Sequence, residues 1–171
     1  MKRLYAPWRH DYVNRMTGKS DKKNKTSKDC VFCKQFAADE DDAFFIVKRF
    51  KHCAVMMNRY PYNSGHVMIL PYDHKGELDD LSSKVRSEMI DAVSASVRII
   101  GKALGSEGFN VGINIGSAGG GGIPSHLHIH VLPRWRGDTN FLEVIGETKL
   151  ISGDLENTFK KLKKAFANVS L

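Results

Sequence analysis

The sequence predicts an α+β domain: a five-stranded antiparallel sheet with one long helix and a C-terminal helix packed on it. Three observations carry that expectation. Short runs of β-branched and bulky apolar residues follow one another without a helical pattern between them. One long stretch repeats apolar residues at helical spacing. Residues 126–132 alternate histidine with aliphatic side chains, as His-Leu-His-Ile-His-Val-Leu. Strands grouped together, with helices segregated to one side, make an α+β architecture rather than a wound parallel one.

Residues 44–50, 52–58 and 66–71 read as the first three strands. Turn-prone stretches such as Arg59-Tyr60-Pro61-Tyr62-Asn63-Ser64-Gly65 separate them, so an antiparallel meander is expected. Leu81, Val85, Met89, Val93, Val97, Ile100 and Leu104 then recur at helical spacing, and Gly105 supplies the stop. Residues 109–115 and 127–133 are two further strands, joined by a loop that holds Gly119, Gly120, Gly121 and Gly122. Residues 142–151 are expected to form a short hairpin around Gly146-Glu147. A last helix over 154–167 has Asp154 as its N-cap and carries Leu155, Phe159, Leu162 and Phe166 on one stripe.

A length of 171 residues suits one domain with its own core, residues 1–29 forming a partly extended N-terminal arm. No apolar run approaches membrane-spanning length, and the N-terminus lacks the apolar stretch of a signal peptide, so a cytoplasmic protein without a membrane partner is expected. Three cysteines, an odd number, argue against a disulfide framework and fit a reducing compartment. The formal charge of +7 favours anionic ligands: nucleotides, phosphates or nucleic acid. Much of the excess lies in 19–28, a polar run that reads as a loop, and in 160–164, on the polar face of the last helix. Solvated surface lysines account for both without a special partner.

The chemistry concentrates on the histidine strand. Side chains alternate along a strand, so His126, His128 and His130 share one face while Leu127, Ile129 and Val131 point into a core. A lone histidine is most often structural, but three of the chain's seven on one face are hard to explain by packing. The glycine run directly before them lets backbone N–H groups approach an anion closely. A flexible hairpin loop would look the same; its place beside three imidazoles favours a phosphate cradle, with the Asn114 amide as a further contact. Imidazole plus a phosphate cradle points to phosphoryl or nucleotidyl transfer through a covalent intermediate on a ring nitrogen.

Residues 126–132 match at every position the signature His-φ-His-φ-His-φ-φ, with φ aliphatic, and the chain resembles the histidine-triad (HIT) superfamily over about residues 4–151. Leu4-Tyr5-Ala6-Pro7-Trp8-Arg9, Asn58-Arg59-Tyr60-Pro61-Tyr62-Asn63-Ser64-Gly65-His66 and Leu132-Pro133-Arg134-Trp135-Arg136-Gly137-Asp138-Thr139-Asn140-Phe141 are similar to the branch of diadenosine tetraphosphate phosphorylases and related ATP adenylyltransferases. The resemblance implies that His128 is the nucleophile, that His130 contacts the substrate phosphates and assists the leaving group, and that Asn58 holds the ribose hydroxyls. It places Asn114, Gly121 and Gly122 at the α-phosphate. Trp135 falls where a base is stacked, or serves as a lid over the core. His66 falls at a buried structural histidine that orients the catalytic strand. A homodimer paired through the long helix and an adjacent strand is implied as well. One departure stands out: Ile123 occupies the position, three residues before His126, where many members have a Ser or Thr, and Ser125 does not replace it. Backbone amides are then expected to carry more of the phosphate contact.

Cys30-Val31-Phe32-Cys33 is a C-x-x-C pair, either a metal knuckle or a redox pair. No thioredoxin-like βαβ pattern surrounds it. A structural zinc needs two more ligands, for which His74 and His126 are the candidates, and zinc-containing HIT proteins are similar in this respect. Cys53, inside an apolar strand, reads as a core residue. No organic cofactor is expected.

The leading expectation is therefore an enzyme that cleaves adenine dinucleoside polyphosphates at the α-phosphate, with inorganic phosphate as acceptor. Water as acceptor, or a phosphoramidate substrate, is the alternative. A DNA-adenylate hydrolase or nucleic-acid binder is a second class, less expected because no added zinc finger or extended basic helix is legible. A vestigial nucleotide-binding scaffold is a third, against which the intact triad argues.

Overall fold

A computed structural model describes residues 26–148, 151 and 153–171. The N-terminal arm up to residue 25, including the Leu4-to-Arg9 segment, lies outside the described residues. The elements in chain order are α1 (Val31–Ala37), β1 (Ile46–Arg49), β2 (Cys53–Met57), β3 (Val67–Pro71), α2 (Ser83–Leu104), β4 (Gly108–Ile113), β5 (Ile129–Arg134), α3 (Phe141–Ile145) and α4 (Leu155–Phe166). The strands form one antiparallel sheet in the order β1-β2-β3-β5-β4. The α+β expectation and the meander of the first three strands are both met. Among the described residues no helix is long and apolar enough to cross a membrane.

Alternation of side chains builds two cores. Cys53, Val55, Met57, Val67, Ile69, Leu127, Ile129 and Val131 face α2 and α4, where Met89, Ile100, Phe159, Leu162 and Phe166 complete a continuous apolar cluster. Ala54, Met56, Met68 and Leu70 face the other way and meet Cys30 and Phe32 at α1. Both faces are thus covered at the sheet's centre, which is why β2 and β3 are buried at every position. The helices are not all on one side, as the sequence suggested: the long ones share a face, and α1 takes the opposite face with the histidines.

Helix α2 begins at Ser82, whose hydroxyl accepts from the Val85 N–H, and stops at Gly105 in the left-handed region with φ of 65°. Asp154 caps α4 by accepting from the Asn157 N–H at 2.7 Å. The hairpin expected over 142–151 is not formed; residues 141–145 are α3 instead. The Asn140 side chain accepts from the Leu142 N–H at 2.8 Å, nucleating a helical turn, and the Gly146 N–H closes it on the Leu142 carbonyl. Ile145, inside the expected hairpin, is 78% exposed and has no sheet to pack on. The end of that expected hairpin, residues 149 and 150, lies outside the described residues.

Candidate active site

Strand β5 begins at Ile129, two residues later than the sequence suggested, because its ladder partners Ile69 and Ile113 both end the pairing there. His126 and His128 lie in the lead-in, whose backbone is tied elsewhere: the Leu127 N–H donates to the Lys75 carbonyl at 2.7 Å. The alternation survives. All three triad histidines are buried, opposite the face that takes Leu127, Ile129 and Val131 into the main core.

Hydrogen bonds to groups of fixed polarity decide the tautomers of His128, His126 and His66, and through His66 that of His130. His128 Nδ1 lies 2.9 Å from the His126 carbonyl, which only accepts, so the proton is on Nδ1 and Nε2 keeps its lone pair. His126 Nε2 donates to the Pro71 carbonyl at 2.9 Å, leaving Nδ1 as the free base. The Tyr62 N–H donates to His66 Nδ1 at 3.2 Å, so His66 carries its proton on Nε2 and donates it to His130 Nδ1 at 2.9 Å. His130 must then hold its own proton on Nε2. That nitrogen is buried and has no partner among the described residues. One imidazole thus offers a lone pair and its neighbour, 4.9 Å away between ring centroids, offers an N–H.

Burial keeps these rings neutral. Desolvation, then the neighbouring His130 and His128, lowers His66 to about 3. Desolvation, then His128, lowers His130 to about 4. His128 is lowered by burial against the opposing pull of its bond to the His126 carbonyl. At neutral pH the His128 lone pair is therefore available rather than protonated.

His128 and His130 line a cavity of about 400 Å³. Asn58, Asn114, Gly120 and Gly122 border it too, while Phe32, Phe44, Phe45, Met56, Met68 and Ile123 give it apolar walls. Of the nucleotide-binding residues expected from sequence, Asn58, Asn114, Gly122 and His130 are thus brought together. Gly121 is not on the cavity; its neighbour Gly120 is. The Asn114 amide donates to the Gly120 carbonyl at 3.4 Å and so shapes the glycine loop. Trp135 borders a different hollow with Asn63 and Arg136, its indole N–H donating to the Gly105 carbonyl at 3.0 Å. Ile123 puts an aliphatic wall where a hydroxyl was the common alternative.

Cys30, Cys33, His74 and His126 converge, with their candidate ligand atoms all within 4.8 Å of one another. Cys30 Sγ and Cys33 Sγ lie 3.4 and 3.6 Å from His126 Nδ1, and Cys33 Sγ lies 3.5 Å from His74 Nδ1. The edge between a sulfur and a nitrogen ligand of tetrahedral zinc is about 3.5 Å. The His126 nitrogen facing the sulfurs is also the one left unprotonated, and a carbonyl orients the ring from behind, as for a metal-bound imidazole. Burial, then the Cys30 thiol, raises Cys33 to about 11, so a thiolate there calls for a cation. The donor set fits zinc. The loop bearing His74 is held close to the triad: a Cβ on Gly76 would stand 2.5 Å from the Pro124 carbonyl oxygen. Cys53 is in the core as expected.

Three site residues carry no signal of their own in the sequence. Phe32 packs edge-on against His126 and His128 at 5.4 and 5.5 Å between ring centroids. Tyr62 stands over His66 and His130 at 4.8 and 5.8 Å. Gln35 lines the cavity with a buried amide oxygen that has no partner among the described residues. The available clue was indirect: a knuckle joined to His126 must bring the residues between and after its cysteines to the triad.

Imidazoles locked in complementary tautomers at the end of an antiparallel sheet are the mark of a histidine-triad site, and the protein is of that class. The chain belongs to the HIT domain family, whose model matches residues 39–137. It is 35% identical over 167 residues to an AP-4-A phosphorylase of Mycobacterium tuberculosis, covering 98% of this chain and 85% of that one. It is 29% identical over 108 residues to the asymmetrical bis(5'-nucleosyl)-tetraphosphatase of Schizosaccharomyces pombe, covering 63% of this chain and 56% of that one. Among solved structures, a zinc-bound histidine triad family protein from Mycobacterium smegmatis shares the fold with a TM-score of 0.69, at 24% identity, over 83% of this chain and 96% of that one.

Proposed function

We propose that this protein is an enzyme that transfers a nucleotidyl group from a dinucleoside polyphosphate to inorganic phosphate through a covalent intermediate on His128, with diadenosine tetraphosphate as the leading substrate. The observation that carries the reading is the His128 tautomer: Nδ1–H is committed to the His126 carbonyl, which leaves the Nε2 lone pair as nucleophile. The similarity to a mycobacterial AP-4-A phosphorylase over nearly the whole chain supports this substrate class.

In the first step His128 Nε2 attacks the α-phosphorus, and the bond from that phosphorus to its bridging oxygen breaks. ATP leaves, its new terminal oxygen receiving a hydrogen bond from His130 Nε2–H. In the second step a phosphate oxygen attacks the adenylyl group, the N–P bond breaks, and ADP forms while His128 recovers its lone pair. Asn58 holds the ribose hydroxyls, and the backbone at Gly120 and Gly122 faces the phosphate oxygens in place of a missing hydroxyl. The Asn114 amide supports the loop. Trp135 serves the base only if the substrate's far nucleoside reaches the neighbouring hollow.

Cys30, Cys33, His74 and His126 would hold a zinc ion, which would tie α1 to the triad. No step of the reaction runs through it. The chain acts as a single domain and as a homodimer paired through α2 and β4, a reading supported by the edge position of β4 and the exposure of Ile90 and Val111. Its place is the cytoplasm.

Product analysis tests the reading. Incubation with diadenosine tetraphosphate should yield ATP and ADP only when inorganic phosphate is present. Two ADP, or ATP plus AMP, without phosphate would replace phosphorolysis by hydrolysis, the reading that the fission-yeast tetraphosphatase favours. A steep salt dependence of DNA affinity would instead point to a nucleic-acid substrate.

A further inference from the structure

We infer that Gln35 reads the base: its side-chain amide hydrogen-bonds the 6-amino edge of an adenine seated between the apolar walls of the cavity. The inference rests on the nucleotide reading above and adds to it the group that selects the base.

Gln35 lies on α1, three residues after Phe32 and so on the same face, and both border the cavity. Its surroundings are the wrong ones for an amide. Phe44, Phe45, Met56, Met68 and Ile123 line the same cavity, and an aliphatic side chain would fill the position without leaving a polar group unbonded. Gln35 Oε1 is nonetheless buried and has no partner among the described residues.

Among the described residues only four buried side-chain polar atoms lack a partner: Gln35 Oε1, His74 Nε2, Ser106 Oγ and His130 Nε2. Two of the four belong to residues on this one cavity. The His130 N–H is answered by a phosphate oxygen. The Gln35 amide calls for an answering group of its own, and the apolar walls around it suit a base.

An amide presents an acceptor beside a donor. Adenine presents the complement, its 6-amino donor beside the N7 acceptor, and glutamine pairs with that edge through two hydrogen bonds. Hypoxanthine and guanine place an oxygen at position 6 next to N7, two acceptors in a row. One amide cannot answer both, and its oxygen would face a lone pair. The apolar walls contact any purine alike, so discrimination falls to Gln35. The two cysteines of the knuckle join α1 to His126 and His74, which keeps the amide in register with the phosphate end of the cavity.

The test compares binding of AMP and inosine monophosphate to the full chain by calorimetry, for the wild type, Gln35→Leu and Gln35→Met. The wild type should bind AMP about 10–100-fold more tightly. Both variants should bring the two affinities within about threefold of each other, AMP losing and inosine monophosphate holding or gaining. Two variants guard against a packing defect peculiar to either. Preserved discrimination in both would overturn the inference. So would a wild type that binds both nucleotides equally. Turnover of diadenosine tetraphosphate is followed in parallel. Turnover without discrimination removes the base contact and leaves the reaction standing; discrimination without turnover removes the reaction and leaves the base contact.

Discussion

His66 Nε2 stands 2.9 Å from His130 Nδ1, and that one contact decides which nitrogen of His130 carries the proton. His66 has no choice of its own, because the Tyr62 N–H occupies its other nitrogen. Replacing His66 by Leu removes the donor and frees His130 to take the wrong tautomer. Activity should fall about 10–100-fold with KM little changed, as for other partners that orient a working imidazole. His66→Gln keeps an N–H donor and should recover part of the loss. Steady-state kinetics on both variants checks this; equal activity in the Leu and Gln variants would remove the tautomer argument.

His128→Gly deletes the nucleophile and leaves the cavity walls in place. Turnover should drop by at least about 10³-fold while nucleotide affinity stays within a few-fold. Trapping a covalent adenylyl adduct in the wild type and finding none in the variant gives the second readout. Normal turnover in His128→Gly would sink the mechanism.

Metal removal should act on both stability and binding, because Phe32 sits between the two cysteines and against His128. Chelation, or Cys33→Ser, is expected to lower the unfolding midpoint by about 10 °C or more. Nucleotide affinity should weaken with it. Metal content by mass spectrometry, read beside the melting curve, tests the link; a metal-depleted chain with an unchanged midpoint would refute it.

Stability should also depend on pH in a window to which the buried His66, His126 and His130 all contribute, His66 being held lowest. Burial first, and the neighbouring His130 and His128 next, hold it at about 3, against 6.5 for an ordinary histidine. Between those values the unfolded chain binds a proton that the folded chain refuses, so stability rises with pH there and is lost as pH falls. The melting midpoint should decline from about pH 6.5 toward acid. His66→Gln, which does not titrate, should show a shallower decline; a parallel curve would mean that other groups set the slope.

Asp138 accepts from Arg134 at 2.6 and 2.7 Å, from Asn63 at 2.7 Å and from the Trp135 N–H at 3.1 Å. Asn63 also reaches the Pro133 carbonyl, so this carboxylate ties the turn before His66 to the end of β5. Asp138→Ala should cost about 1–3 kcal/mol, a range that allows for the exposure of the Arg134 side chain. Chemical denaturation measures it. Hydrogen exchange should quicken first in the turn over residues 59–65.

Much of this molecule was legible in its residues. Runs of β-branched and bulky apolar residues identified the strands, and period-two alternation put His126, His128 and His130 on one face, because successive side chains of an extended chain point to opposite sides. Apolar residues at helical spacing and the stop at Gly105 marked α2, and the Asp154 side chain marked the start of α4, since a helix start leaves N–H groups that a nearby oxygen must satisfy. Helix α1 escaped that logic. Seven residues make too few turns for a period to show, and its start at Cys30 carries no side-chain cap. The hairpin expected over 142–151 gave way to a helix because the Asn140 side chain caps a helical turn there.

The site divides the same way. The kinds of residue are written in the chain: imidazoles at spacing two, a glycine run, a C-x-x-C pair. Their division of labour is not, because it depends on contacts between distant segments. Cys30 and His126 are 96 positions apart, and His66 and His130 are 64. Only when the sheet closes does a carbonyl or an N–H of fixed polarity meet each ring. Those meetings select the protonated nitrogen of each triad imidazole, turn one toward the sulfurs and two toward the cavity, and leave the Gln35 amide oxygen without a partner among the described residues.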